Sequence, residues 1–208
     1  MTEAEWLVSE DPAKMLEFLR GKACDRKLRL FAATCCRSVW HLLPNARSHR
    51  AVEAVERFAD GLATEQELQQ ASAGAQAIRK GNRDLNTAVW DATWTCCSSV
   101  SKLFEPATIS QRLVAGCGEG SRLLHVSLLR DIFGNPFRPA TVAPAWQTDT
   151  VVSLAQAIYD GRAFDRMPIL ADALEDAGCT SADVLDHCRG GGEHVRGCWV
   201  VDLVLGKE

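Results

Sequence analysis

Helix start signals recur along most of the chain and leave little room for a β-sheet. Thr2 with Glu5 fits a capping box, in which each side chain accepts a hydrogen bond from the other residue's backbone N–H. Pro12 directly follows Asp11, an arrangement typical of a capping residue and the first helical turn. From Asp25 to residue 42, apolar residues recur every three or four positions. These patterns predict an all-α fold.

Similar signals predict further helices along the rest of the chain. Thr64 with Glu67 is a second capping box, and Asp165 and Ser181 are candidate caps. The predicted helices cover 46–60, 64–80, 84–104, 121–133, 149–160, 166–178 and 181–188. The final apolar run, 198–206, fits either a helix with Trp199, Leu203 and, as a further candidate, Val200 inward or a buried strand.

One stretch interrupts the helical pattern. Residues 134–146 contain three prolines and a glycine, so we expect an irregular loop there. The composition also shifts over 105–120, where glycine becomes frequent. We therefore predict one compact helical domain over 1–208, with two possible lobes at 1–104 and 121–208.

Charge and hydropathy narrow the possible partners and location. The net charge is −4, and no long basic block attracts a nucleic-acid backbone, so we expect no nucleic-acid partner. No stretch approaches the roughly 18 apolar residues of a membrane span. The acidic start lacks the apolar core of a signal peptide, and the nine cysteines are an odd number. We expect a cytoplasmic protein with reduced thiols, most of them acting as small apolar side chains.

Several stretches resemble a bacterial family that occurs in many copies in planctomycete genomes. The resemblance lies in LLRDIFGNPFRP, IYDGRAFDRMPILADALEDAGC and HVRGCWVVDLVLGKE, together with most of the first 43 residues. That family has no assigned activity. The resemblance therefore implies a bacterial, cytoplasmic protein and supplies no catalytic residues.

The segment HCRGGGEHVRGC, residues 187–198, is the strongest candidate site. His187, Cys188, His194 and Cys198 surround a triple glycine, and zinc accepts such nitrogen and sulfur ligands. If 194–205 were helical, His194 and Cys198 would share a face. The pattern is incomplete, and a fourth ligand from Cys179, Asp202 or the N-terminal half stays open. The alternative is that both cysteines are apolar filler and the glycines form a turn.

A reactive thiol is a second interpretation of the same segment. On a continuous helix, His194, Cys198 and Asp202 would lie along one side as base, nucleophile and orienting acid. Side chains on one helix face point outward in parallel, and the apolar residues 199–201 indicate a buried, inert thiol. The sequence favours metal binding over thiol catalysis.

Arginines of the C-terminal half suggest a third kind of site. Arg138 lies between Phe137 and Pro139, where an extended backbone can present its guanidinium to an anion. Together with Arg196 it is a candidate ligand-binding pair for small anionic molecules. In the structural alternative, Phe137 fills the core and Arg138 pairs with Asp131 or Asp165.

These observations support three hypotheses about function. The first is a helical module that binds a protein partner or a second copy of itself, because no complete catalytic motif is present. The second is a zinc-binding protein or metal-dependent hydrolase that uses the His/Cys segment. The third is a protein that binds small anions through its arginines. The sequence leaves open whether the protein is an enzyme.

Overall fold

The computed structural model describes residues 1–43, 46–81 and 119–207. Within these ranges it contains ten α-helices and no strand, which confirms the all-α prediction. The chain divides into two compact units, Met1–Leu129 and Arg130–Glu208. The predicted helix at 84–104 and nearly all of the predicted lobe boundary at 105–120 lie outside the described residues.

The first unit begins with short, well-capped helices. The helices are α1 (Glu3–Val8), α2 (Pro12–Leu19), α3 (Asp25–Ser38), α4 (Ala46–Ala59), α5 (Glu65–Gly81) and the first part of α6 (Glu119–Phe133). The predicted capping box at Thr2 is present, and the carboxylate of Asp11 accepts from the backbone N–H groups of Ala13 and Lys14. The backbone N–H of Glu67 donates to the Thr64 hydroxyl, so the second capping box is also confirmed.

The core of the first unit follows the apolar spacing of the sequence. Helix α4 packs against both α3 and α5. Leu28, Phe31 and Cys35 of α3 are all buried, as the three- and four-residue spacing predicts. Arg37 and Glu56 form a bidentate ion pair between α3 and α4, and Glu56 is almost completely buried. This pair is satisfied internally, as a buried carboxylate requires.

In the second unit, four further helices follow the end of α6 along the chain. They are α7 (Asp149–Gly161), α8 (Met167–Asp176), α9 (Ala182–Arg189) and α10 (Trp199–Leu205), with 3-10 turns at Pro144–Trp146 and Phe164–Arg166. Helix α7 packs against α8 and α10, and α9 packs against the same two helices. Their buried apolar faces form one core, which includes the thiols of Cys179, Cys188 and Cys198. Residues 134–143 form the expected irregular loop.

Three local predictions need correction in this unit. Asp165 does not cap α8, because it lies within a 3-10 turn that leads directly into the helix at Met167. Ser181 occupies the N-cap position of α9, as predicted, but its side chain makes no capping hydrogen bond. The last apolar run is a helix that buries Val200, one of the candidate inward residues, but it also buries Val201 and Val204, while Trp199 and Leu203 stay half-buried.

None of the helices in the described ranges combines the length and hydropathy that a bilayer-spanning segment needs.

Candidate metal centre

Three segments of the second unit converge on one polar cluster. Asp131 is in the last turn of α6, and His187 is in the last turn of α9. His194 and Cys198 belong to the non-helical segment 190–198 that joins α9 to α10. The sequence hypothesis placed 194–198 on a helix, but α10 begins only at Trp199. A turn, closed by a 2.9 Å hydrogen bond from the Cys198 N–H to the Val195 carbonyl, brings the two side chains together instead.

Asp131 is at the centre of the cluster. Its Oδ1 lies 2.7 Å from His194 Nδ1 and 3.2 Å from His187 Nε2. Its Oδ2 accepts a 2.9 Å hydrogen bond from the backbone N–H of Val195. One carboxylate therefore ties the end of α6 to α9 and to the connecting segment.

Cys198 completes the group. Its Sγ lies 3.1 Å from His187 Nε2 and 4.0 Å from His194 Nδ1. The four ligand atoms of Asp131, His187, His194 and Cys198 all fall within 4.8 Å of one another. Across the part of the chain that the structure describes, no other group of histidine, cysteine and acidic side chains converges in this way.

The cluster is shielded from solvent. The Asp131 and His194 side chains are 4% and 7% exposed, the Cys198 residue is 0% exposed, and only the His187 side chain reaches 18%. Trp199 covers part of His187, with ring centroids 5.1 Å apart. The indole of Trp199 in turn packs over Gly134, whose φ of +60° ends α6.

Burial and neighbouring groups shift the pKa values of Asp131 and Cys198 in opposite directions. Burial acts to raise the pKa of Asp131, but hydrogen bonds from His187 and His194 outweigh it and lower that pKa. Burial raises the pKa of the Cys198 thiol, and the Asp131 carboxylate raises it further. Without a bound cation, Cys198 is therefore a neutral thiol beside an ionised carboxylate.

The donor set fits a tetrahedral zinc ion. Zinc bonds of about 2.0–2.3 Å to nitrogen, oxygen and sulfur place neighbouring ligand atoms roughly 3.3–3.7 Å apart in a tetrahedron. Three of the separations, 2.7, 3.1 and 3.2 Å, are shorter than this range and a fourth, 4.0 Å, is longer, so shifts of about 0.1–0.6 Å would bring these atoms to tetrahedral spacing. His194 would bind the ion through Nδ1, the ring nitrogen that faces Asp131 and Cys198.

The same geometry argues against a nucleophilic thiol. In a catalytic triad the acid contacts the ring nitrogen opposite the one that serves the nucleophile. Here Asp131 and Cys198 both approach His187 through Nε2. Cys198 is also fully buried, and its raised pKa keeps it protonated. A coordinating cation can still displace the thiol proton, although a raised pKa lowers the metal affinity at a given pH.

The structure brings three of the four predicted ligands together and adds one that the hypothesis lacked. Cys188 is buried on α9 but is not a member of the group, and burial raises the pKa of its thiol to about 12. Asp131 takes the fourth position. Asp202, the other acid considered, is buried on α10 and is also not in the group.

The two arginines of the anion-site hypothesis occupy different surroundings. Arg196 stacks over the Tyr159 ring at 4.9 Å and donates to the Tyr159 carbonyl at 3.4 Å. Arg138 is exposed in the turn after α6, and its backbone N–H donates to Asn135 O. Phe137 is 36% exposed, so it does not fill the core as the structural alternative proposed.

The position of Asp131 in the sequence carries a signal of its own. It lies between Leu128, Leu129 and Ile132, all of which are buried, so it occupies the apolar face of α6. A carboxylate at such a position needs a buried partner. The partners lie 56 or more positions further along the chain, which no local pattern reveals.

No family model, curated protein or solved structure matches this chain. The resemblance to the planctomycete family therefore stays a prediction.

Proposed function

We propose that the protein is a zinc-binding protein whose ion is held by Asp131, His187, His194 and Cys198. The observation that carries the proposal is the convergence of these four ligand atoms, from three separate segments, within 4.8 Å. Chance proximity of exposed acidic groups is common, but the side chains of Asp131, His194 and Cys198 are largely or fully buried.

The chemistry of the ligands favours zinc over harder ions. Magnesium and calcium select oxygen ligands, whereas this group offers two imidazole nitrogens, one sulfur and one oxygen. A carboxylate and a thiolate also contribute two negative charges, which balance a divalent cation when both histidines are neutral. A neutral complex suits a buried position, because an uncompensated charge there is strongly unfavourable.

The arrangement favours a structural role over hydrolysis. Catalytic zinc sites keep one position open for water, whereas structural sites have four protein ligands. Here four side chains are available, and three of them are largely or fully buried. The ion would join the end of α6, the end of α9 and the segment before α10. Its binding free energy would therefore stabilise the second unit.

Zinc titration of metal-free protein tests the proposal, and the chain offers a matched pair of variants. Cys188 and Cys198 are both 0% exposed in the same core, but only Cys198 belongs to the cluster. We expect wild-type protein to bind one zinc ion by isothermal titration calorimetry. We expect Cys198→Ser to weaken binding by about 100-fold or more, because even the loss of an outer partner of a ligand weakens binding 10–100-fold. Cys188→Ser should retain the wild-type affinity.

Cobalt substitution identifies the ligands directly. Tetrahedral cobalt bound to a thiolate gives a sulfur-to-metal charge-transfer absorption, which should appear in wild type and Cys188→Ser and be absent from Cys198→Ser. Wild-type protein that is folded but takes up neither ion would refute the proposal. Equal weakening in both variants would show that Cys198 acts through packing and not as a ligand.

The hypotheses of a protein-interaction module and of an arginine-based anion site stay predictions.

A further inference from the structure

The ligands of the proposed metal centre are enclosed, which raises the question of how an ion reaches them. Cys198 is 0% exposed, and the side chains of Asp131 and His194 are 4% and 7% exposed. A hydrated ion therefore cannot contact Cys198 unless a segment that bears ligands moves. The candidate segment is 190–193, which is exposed and joins His187 to His194.

Two of the three glycines of this segment, Gly191 and Gly192, are not explained by the folded geometry, whereas an added Cβ at Gly190 would lie 3.2 Å from the Asp186 carbonyl oxygen. Gly134 needs to be glycine, because its φ is +60° and an added Cβ would lie 3.1 Å from Trp199 Cγ. Gly191 and Gly192 have no left-handed φ, and an added Cβ would meet nothing within 4 Å at either position. An alanine fits both positions as they stand. Compared with alanine, glycine at these two positions lets the backbone adopt a wider range of other conformations.

The segment also has fixed ends. On one side α9 finishes with a 2.8 Å hydrogen bond from the Gly190 N–H to the Asp186 carbonyl. On the other side Arg196 stacks on Tyr159. Between them, His194 and the Val195 N–H are both held by the single carboxylate of Asp131. Release of these two contacts frees one ligand of the cluster.

We infer that metal enters and leaves this centre through a hinged opening of the 190–193 segment, with Gly191 and Gly192 as the hinge and His194 as the ligand that swings out. The inference rests on the proposed zinc site, and it adds how that site is loaded. Zinc binding closes the segment, so the conformational entropy of the open loop opposes binding.

The double variant Gly191→Ala/Gly192→Ala tests the hinge. Alanine restricts the open loop but fits the closed one, so it should favour the zinc-bound form. We expect zinc to bind about fourfold to twenty-fivefold more tightly, since each of the two replacements should raise the affinity on the order of two- to fivefold by restricting the open loop. Release of zinc to a chromophoric chelator, followed by stopped flow, should slow by a similar factor.

Gly74→Ala is the matched control. Gly74 lies within α5 of the first unit, has no left-handed φ, and also has nothing within 4 Å of an added Cβ. It should leave both zinc affinity and zinc release unchanged. Hydrogen exchange gives a readout that is independent of affinity: the Val195 amide should exchange more slowly with zinc than without it, and more slowly in the metal-free double variant than in metal-free wild type.

The outcomes separate the hinge from the site itself. Wild-type protein that binds no zinc refutes the proposed function. Wild-type protein that binds zinc, with equal or weaker affinity in the double variant, overturns the hinge and leaves the metal centre standing. Equal protection of the Val195 amide with and without zinc also overturns the hinge.

Discussion

Both units contain buried histidine side chains, but the polar groups around these side chains differ. In the first unit, His125 is 1% exposed, lies against the edge of Phe31, and has no hydrogen-bond partner on either ring nitrogen. In the second unit, His187 and His194 face a carboxylate and a thiol. His125 is therefore a neutral core residue, while the pair in the second unit belongs to a candidate ligand set. A buried histidine becomes a candidate site only where other donor atoms converge on it.

Removal of the Asp131 carboxylate should cause the largest changes, both in the free energy of unfolding and in stabilisation by zinc. Asp131→Ala leaves two histidines and the Val195 N–H without their shared acceptor, so we expect a loss of roughly 3–5 kcal/mol in the free energy of unfolding. Zinc at a thousandfold its dissociation constant should stabilise wild type by about 4 kcal/mol and this variant not at all. Chemical denaturation with and without zinc measures both quantities.

The control for that experiment is His125→Phe, which removes the buried histidine of the other unit. It should retain the full stabilisation by zinc. If zinc stabilised Asp131→Ala as much as wild type, the contrast between the two units would fail.

The next largest effect should be a pH dependence of stability that comes from His125 of the first unit. Burial lowers the pKa of His125 to about 4, against a reference near 6.5 in the unfolded chain. The unfolded chain therefore binds an additional proton between these pH values, so stability falls as the pH falls from about 6.5 to about 4. The expected loss from this residue is about 3 kcal/mol.

Denaturation of wild type and His125→Phe across this pH range measures that loss as the difference between the two curves. Parallel curves for wild type and His125→Phe would show that protonation of His125 is not the cause.

Replacement of Gly134, which lies against Trp199, should cause an intermediate loss of stability. Gly134→Ala meets both a left-handed φ of +60° and the Trp199 indole at 3.1 Å, so we expect a loss of about 1–3 kcal/mol. Because Trp199 also contacts His187, zinc affinity should fall as well.

Gly178→Ala is the matched variant for that prediction. Gly178 has a φ of +87° but no atom within 4 Å of an added Cβ, so only backbone strain of about 1 kcal/mol should remain, with normal zinc affinity. Equal losses of stability in the two variants would mean that the Trp199 contact contributes nothing.

The smallest effect should come from an exposed polar cluster. Arg189 bridges Asp172 and Glu175, with its own side chain 40% exposed and the two acids 71% and 57% exposed. Solvent already satisfies these groups, and exposed ion pairs contribute little. Arg189→Ala should leave the thermal midpoint unchanged within error by circular dichroism. A clear drop would show that burial is not what separates important from unimportant polar contacts here.

Local patterns in the sequence were sufficient to predict most of the secondary structure. The capping boxes at Thr2 and Thr64 and the Asp11–Pro12 start are present, because a cap involves only neighbouring residues. The prediction for Asp165 failed, since a 3-10 turn and a helix following it are hard to distinguish by spacing. The sequence also identified His187, His194 and Cys198 as candidate ligands, but with the wrong local conformation for 194–198.

By itself the sequence determined that the described part of this chain is helical and that two histidines and two cysteines fall together within residues 187–198. Only the tertiary structure decided that Asp131 joins them and that Cys188 does not. The physical reason is that helix signals act over three or four residues, whereas convergence of ligand atoms depends on how helices pack. That packing brings together residues 56 to 67 positions apart.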